Sequence, residues 1–200
     1  ALKAKLGERR RCLHISIPSS NPGLSRYLGI LAILEAAARK TESIRSVSFE
    51  LVLLVALYTK GLQTGGHPLV NPSHIIGGAI RPDENLTIDD GKYESLAAYH
   101  LLPGDVVLGR RGEIGRCAVV KTDGLICGTG SMIIRPGQKV RSDYLQRVVS
   151  FPSFSHALEA NAVGATTKNL NAKIVGSAEA FLPDLKDQDA FITLVSQIDK

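Results

Sequence analysis

A chain of 200 residues with 44% apolar and 22% charged side chains is long enough for one ordinary domain, too apolar for a disordered tail and too charged for a polytopic membrane protein. Its formal charge of +5 invites a nucleic-acid partner, but ten basic and four acidic side chains fall in 1–60 against fourteen and fifteen in 61–200. The global excess therefore belongs to the first third of the chain and is weak support for DNA or RNA binding by the rest.

In chain order, Ser25–Lys40 is rich in Leu and Ala and ends on Arg39-Lys40, the composition and charge placement of a helix. Ile44–Tyr58 alternates and then becomes solidly apolar; its Val and Phe content suits a buried strand, with a short helix as the alternative. Neither this run nor Leu28–Ala38 approaches the roughly twenty residues needed to span a bilayer. From Gly61 to about residue 138, Gly, Pro, Asn and Asp recur every few residues. Between them lie short β-like runs at Asp105–Gly109, Arg116–Lys121, Leu125–Cys127 and Ser131–Arg135, with turns at Arg111-Gly112 and Asp123-Gly124. This spacing predicts an α+β fold with a curled, mostly antiparallel sheet. Ser142 is placed to cap a helix through Ser150, and Pro152 interrupts it before a second helical stretch, Ser153–Ala162. A polar loop from Gly164 to Asn171 follows. Pro183-Asp184 then precedes a last helix with Phe191, Leu194, Val195 and Ile198 on one stripe.

Catalytic chemistry finds little support. Cys12, Cys117 and Cys127 are odd in number and lack CxxC spacing, which fits a reducing, cytoplasmic setting and argues against a disulfide framework or structural zinc. Cys117 and Cys127 lie inside expected strands, where a thiol acts as a small hydrophobe. The five histidines show no metal-binding spacing. Ser131 in Gly128-Thr-Gly-Ser131 lacks the second glycine of a nucleophile elbow. Gly109, Gly112 and Gly115 have no Lys-Ser/Thr pair and are turn glycines rather than a phosphate loop. Asn71-Pro72-Ser73-His74 is similar to the tetrapeptide with which DNA amino-methyltransferases clamp a flipped base. Ser73 and His74 replace its second proline and aromatic, and no glycine-rich loop for S-adenosylmethionine precedes it. No cofactor is expected.

A binding surface remains. Residues 105–147 hold eight basic side chains against four acidic ones. Arg110-Arg111 lies at an expected strand end before a glycine turn, where both guanidiniums are expected to point out together toward phosphate or the O6/N7 edge of guanine. The loop at Lys168, Asn169 and Asn171 adds a cation for phosphate and two amides of the kind that pair with an adenine edge.

The chain from about 65 to 198 resembles one target-recognition half of a type I restriction–modification specificity subunit. The matching stretches are Gly66–Ile75, Leu102–Val120, Cys127–Ser131, Gly164–Asn171 and Leu182–Gln188, in that order. The resemblance implies a non-catalytic subunit that recognises double-stranded DNA and brings methyltransferase and restriction subunits to a split site, alone or as a half-subunit dimer. It implies a recognition domain at 61–185 and the start of a long spacer helix at 186–200. It also puts Asn71, Ser73, His74, Arg110, Arg111, Lys168, Asn169 and Asn171 among the DNA-contacting residues. Residues 1–60 depart from the family pattern, so a truncated or rearranged half-subunit is expected, with a shifted upstream reading frame as one origin. The alternative is a half-subunit that no longer reads DNA and only engages the methyltransferase as a protein–protein module.

Overall fold

The computed structural model describes residues 42–43, 50–53, 62–164, 169–178 and 180–198, with side chains from 64 onward. The helix expected at Ser25–Lys40 lies outside these residues. Part of the apolar run 44–58 does not: after β1 (Glu42–Ser43), Glu50–Leu53 forms strand β2.

Two sheets form the body. Strands β3 (Leu62–Gln63), β4 (His67–Val70), β7 (Thr87–Ile88), β8 (His100–Leu101) and β11 (Leu125–Cys127) make one, in the order β3-β7-β4-β11-β8. The small hairpin β5–β6 (Ile75–Ile76 and Ala79–Ile80) interrupts them in sequence. It turns at Gly77 and Gly78, whose φ of +58° and +75° suit the tight reversal that only glycine adopts freely. Strands β9 (Val106–Gly109), β10 (Cys117–Val119) and β12 (Ser131–Arg135) make the other sheet, in the order β10-β9-β12-β2. Among the described residues every ladder is antiparallel except β4 with β11, so the expected α+β fold with mostly antiparallel pairing is what the chain adopts, built as two sheets that do not close.

The solidly apolar texture of β9, β10 and β12 has a geometric cause. Successive side chains point to opposite faces, and both faces are covered. Val106, Leu108, Cys117, Val119, Met132 and Ile134 face the helices; Val107, Ala118 and Ile133 face Val70, Ile75, Leu101, Leu125 and Cys127 of the other sheet. The helical layer comprises α2 (Ser142–Ser150), α3 (Pro152–Asn161), α4 (Ala172–Ser177) and α5 (Leu185–Ile198), while α1 (Asp90–Ser95) belongs to the connection between β7 and β8. The paired strand β13 (Phe181–Leu182) meets β1, with Ser43 opposite Phe181.

The start of α2 differs from expectation. Ser142 is not the cap: its hydroxyl donates to the Gly104 carbonyl at 2.6 Å, and Arg141 takes the cap position. The Arg141 N–H instead donates to Oε1 of Gln188, 47 residues away, at 2.8 Å. Gln188 is fully buried, and its Nε2 donates to Lys139 and Pro183 carbonyls at 2.9 Å each. A distant buried amide thus satisfies the N–H of the cap residue and ties α5 to α2. Asp184 caps α5 through the Asp187 N–H at 3.0 Å. Of the expected stripe, Phe191 is turned onto the core edge-on to Tyr144 at 5.6 Å, while Leu194 and Val195 are half-buried. No helix among the described residues is long and apolar enough to cross a membrane.

Most buried polar groups are matched, the fully buried Ser131 hydroxyl being the side-chain oxygen left without a partner among the described residues. Asp105 lies 2% exposed beneath the sheet, grips Arg135 through two bonds of 2.9 Å and accepts the Leu102 N–H at 2.9 Å. Burial lifts the Cys117 and Cys127 thiols from 9.0 to about 12 and the Tyr144 phenol from 10.0 to about 12. Acids whose folded-state pKa lies above the unfolded value stabilise the fold below the unfolded pKa and lose that contribution as pH rises toward the folded one. The urea midpoint is therefore expected to stay level up to about pH 8 and to fall between about pH 9 and 11. Replacing both cysteines by alanine should flatten the fall below about pH 10, as urea titrations across this range would show.

Candidate nucleic-acid interface

Strand β9 ends on Gly109, and the next two residues part company. The Arg110 N–H donates to the Gly130 carbonyl and its own carbonyl accepts from the Leu170 N–H, each at 2.9 Å. This double anchorage continues the sheet edge by one residue and turns the Arg110 side chain inward, where it is 9% exposed. Its Nε donates to Oδ1 of Asn169 at 3.0 Å. Arg111 pairs with the Asn169 backbone in an isolated antiparallel bridge and leaves its side chain in solvent. The expectation that both guanidiniums point outward together is thus corrected: alternation along an extended backbone sends neighbouring side chains to opposite faces. Burial and then the charge of Arg111 lower the pKa of Arg110, and no carboxylate among the described residues pairs with it.

The loop bearing Asn169 is closed at its base. Val163 and Asn169 exchange both backbone bonds, at 3.1 and 2.9 Å, and Asn171 caps α4 by accepting the Ile174 N–H at 2.9 Å. Lys168 lies outside the described residues.

Asn71–His74 reaches the same end of the sheets. Past β4 the chain makes one 3-10 turn at Pro72–His74, closed by the His74 N–H on the Asn71 carbonyl at 2.9 Å. The His74 Nδ1 lies 2.8 Å from the Leu69 carbonyl and 3.2 Å from the Asn71 backbone nitrogen, so the ring is held against the turn it closes. Ser73 is exposed. The segment sits directly over three glycines. A Cβ on Gly128 would collide with Asn71 Oδ1, one on Gly130 would stand 2.9 Å from Pro72 Cδ, and one on Gly109 would stand 3.2 Å from Pro72 Cβ. Arg116 closes the contact from the side through Nη1 on the Pro72 carbonyl at 3.2 Å while pairing with Glu113. The tertiary structure therefore gathers Asn71, Ser73 and His74 at the sheet end that carries Arg110, Arg111, Asn169 and Asn171. The glycine seats and Arg116 were not singled out from sequence. The signal for them was Gly128-Thr-Gly130, whose lack of side chains is meaningful only once the overlying segment is known.

The basic patch narrows in the same way. Of its eight cations, Arg116, Lys121, Arg135 and Arg141 pair with Glu113, Asp143, Asp105 and Asp189, Arg147 lies in the last turn of α2, and Lys139 offers its backbone carbonyl to Gln188 of α5. Arg110 and Arg111 are the adjacent pair that no acid offsets among the described residues. Other chemistry does not assemble there. Ser131 is fully buried, and the Cys117 thiol donates to the Gln146 carbonyl at 3.4 Å. His67 and His100 sandwich Tyr93 with ring centroids 3.6 Å apart on either side, and no group of three metal-ligating side chains occurs among the described residues. Gly128→Ala is expected to cost about 1–3 kcal/mol, because the new methyl group must displace Asn71 from its seat. Urea denaturation would measure the loss, and an unchanged midpoint would show that the seat is not needed.

No protein-family profile and no curated protein matches the chain. Solved structures do. The S subunit of the type I restriction–modification system of M. genitalium is 16% identical, with a TM-score of 0.57 over 79% of this chain and 38% of that one. The HsdS subunit of Thermoanaerobacter tengcongensis is 15% identical, with a TM-score of 0.59 over 88% and 44%. A chain from a structure of the assembly and conformational transition of the type I system is 15% identical, with a TM-score of 0.56 over 88% and 45%. The chain thus spans less than half the length of each, and at these identities the likeness speaks for the fold. The chain has the fold of a type I restriction–modification specificity subunit.

Proposed function

We propose that this chain is a DNA-recognition component of a type I restriction–modification complex, non-catalytic itself, which directs methyltransferase and restriction subunits to a split site on double-stranded DNA. The observation that carries the reading is the Arg110/Arg111 pair: one residue 9% exposed with no carboxylate partner among the described residues, the next exposed, at the sheet end where three chain segments meet. A buried cation is costly unless an anion completes it, and a phosphate backbone supplies anions at regular spacing. Residues 61–185 form the recognition domain in this reading, with Glu50–Leu53 completing its central sheet, and 186–200 begin a spacer helix that leads to a second half, within one chain or in a half-subunit dimer. Asn71, Ser73, His74, Lys168, Asn169 and Asn171 complete the DNA-facing surface around the arginine pair.

Arg111 contacts phosphate. Arg111→Ala is expected to weaken binding to duplex DNA by about tenfold and to lower the slope of log affinity against log salt by about one. Gel shifts of the chain with its methyltransferase subunit, between 50 and 200 mM salt by order of magnitude, would measure both. A loss no greater than that of Lys92→Ala, on the exposed helix α1, would overturn the assignment.

A further inference from the structure

The hydrogen bonds at the arginine pair determine which way the loop amides face. Arg110 Nε–H is a donor with no acceptor capacity, so the Asn169 atom 3.0 Å from it is the oxygen. The Ile174 backbone N–H is likewise a donor, so the Asn171 atom 2.9 Å from it is also the oxygen. Both amides therefore turn their carbonyl inward, and their Nδ2 groups have no partner among the described residues. Arg111 beside them carries donors alone. Asn169, Asn171 and Arg111 thus share one polarity: N–H groups available to acceptors.

We propose that Asn169 is a specificity-determining residue that reads guanine, with Arg110 as the positioning residue that holds its amide. The inference rests on the DNA-recognition reading above and deepens it. In the major groove guanine offers two acceptors, O6 and N7; thymine offers one, O4, beside its methyl group; adenine offers N7 beside an amino donor; cytosine offers an amino donor. A bidentate contact to adenine needs an amide with oxygen and nitrogen both facing the base, and the Arg110 bond takes the oxygen away from that task. A guanine edge needs donors alone, which is what Asn169 presents, and Asn171 repeats the polarity two residues on.

The decisive variant is Asn169→Asp. It keeps an oxygen for Arg110 Nε, so the loop anchor is retained, and it changes the outward group from donor to acceptor. The full chain, in complex with its methyltransferase subunit, would be used to select from a randomised pool of duplex DNA, with thermal melting to confirm that the variant is folded. The wild type is expected to enrich a motif containing a guanine that the variant disfavours by about tenfold, its preference moving to an amino-bearing base, cytosine or adenine, at that position. Substituting 7-deazaguanine there should weaken the wild type and leave the variant unaffected. If the wild type and Asn169→Asp enrich the same motif, or if the position that moves is adenine or thymine in the wild type, the guanine assignment is overturned while DNA recognition stands. If the wild type enriches no motif, the DNA-recognition reading itself falls.

Discussion

The structure depends on the pairing of β9 with β12. Leu108 stands opposite Met132 and Val107 opposite Ile133, and because the strand period is two, each strand sends alternate side chains into two separate cores. One core is closed by helices α2 to α5 and the other by the second sheet. Each fully buried aliphatic side chain in such a ladder contributes on the order of 2 kcal/mol, and the ladder holds six between Val106 and Ile134 that are at most 3% exposed. A one-residue slip would exchange the two sets of side chains, putting Val107 and Ile133 where Leu108 and Met132 belong. The register is therefore set from both faces at once.

That register delivers the site. With Ser131 opposite Gly109, the next residue outward is Arg110, anchored to Gly130 on one side and Leu170 on the other. Three segments far apart in sequence converge here because the chain lacks side chains where they meet. Gly109, Gly128 and Gly130 leave room for Asn71 and Pro72, and this close approach lets the second sheet end level with the first. The exposed arginine, the inward arginine and the loop amide are consequences of backbone positions that the ladder imposes.

Electrostatics are arranged on the same plan. Cations of the central basic stretch are mostly spent within the domain: Arg135 on buried Asp105, Arg141 on Asp189, Lys121 on Asp143 and Arg116 on Glu113. These pairs hold strand ends and helix starts, and none of them involves Arg110 or Arg111. Gln188 plays a comparable part for the last helix. Its single amide accepts the N–H of the residue before α2 and donates to two loop carbonyls, so the first turn of α5 is fixed against α2.

Much of this was legible along the chain. The runs at 105–109, 125–127 and 131–135, the glycine turns at 112 and 124, the helices at 142–150 and beyond Pro152, and the inert buried cysteines all follow from local pattern, because side-chain period and turn chemistry act over a few residues. The order of loose motifs also pointed to the fold. Tertiary structure decided the rest. Which apolar residues of β9 and β12 face helices and which face the second sheet cannot be read from a run that is apolar at every position. That Gln188 takes up the N–H of Arg141, and that Arg110 turns in while Arg111 turns out, depends on partners 47 and 59 residues away. Sequence alone determined which residues carry charge and hydrogen-bonding capacity. The fold alone determined which of those groups are used up inside the domain and which remain directed outward, because a hydrogen bond is set by proximity in space.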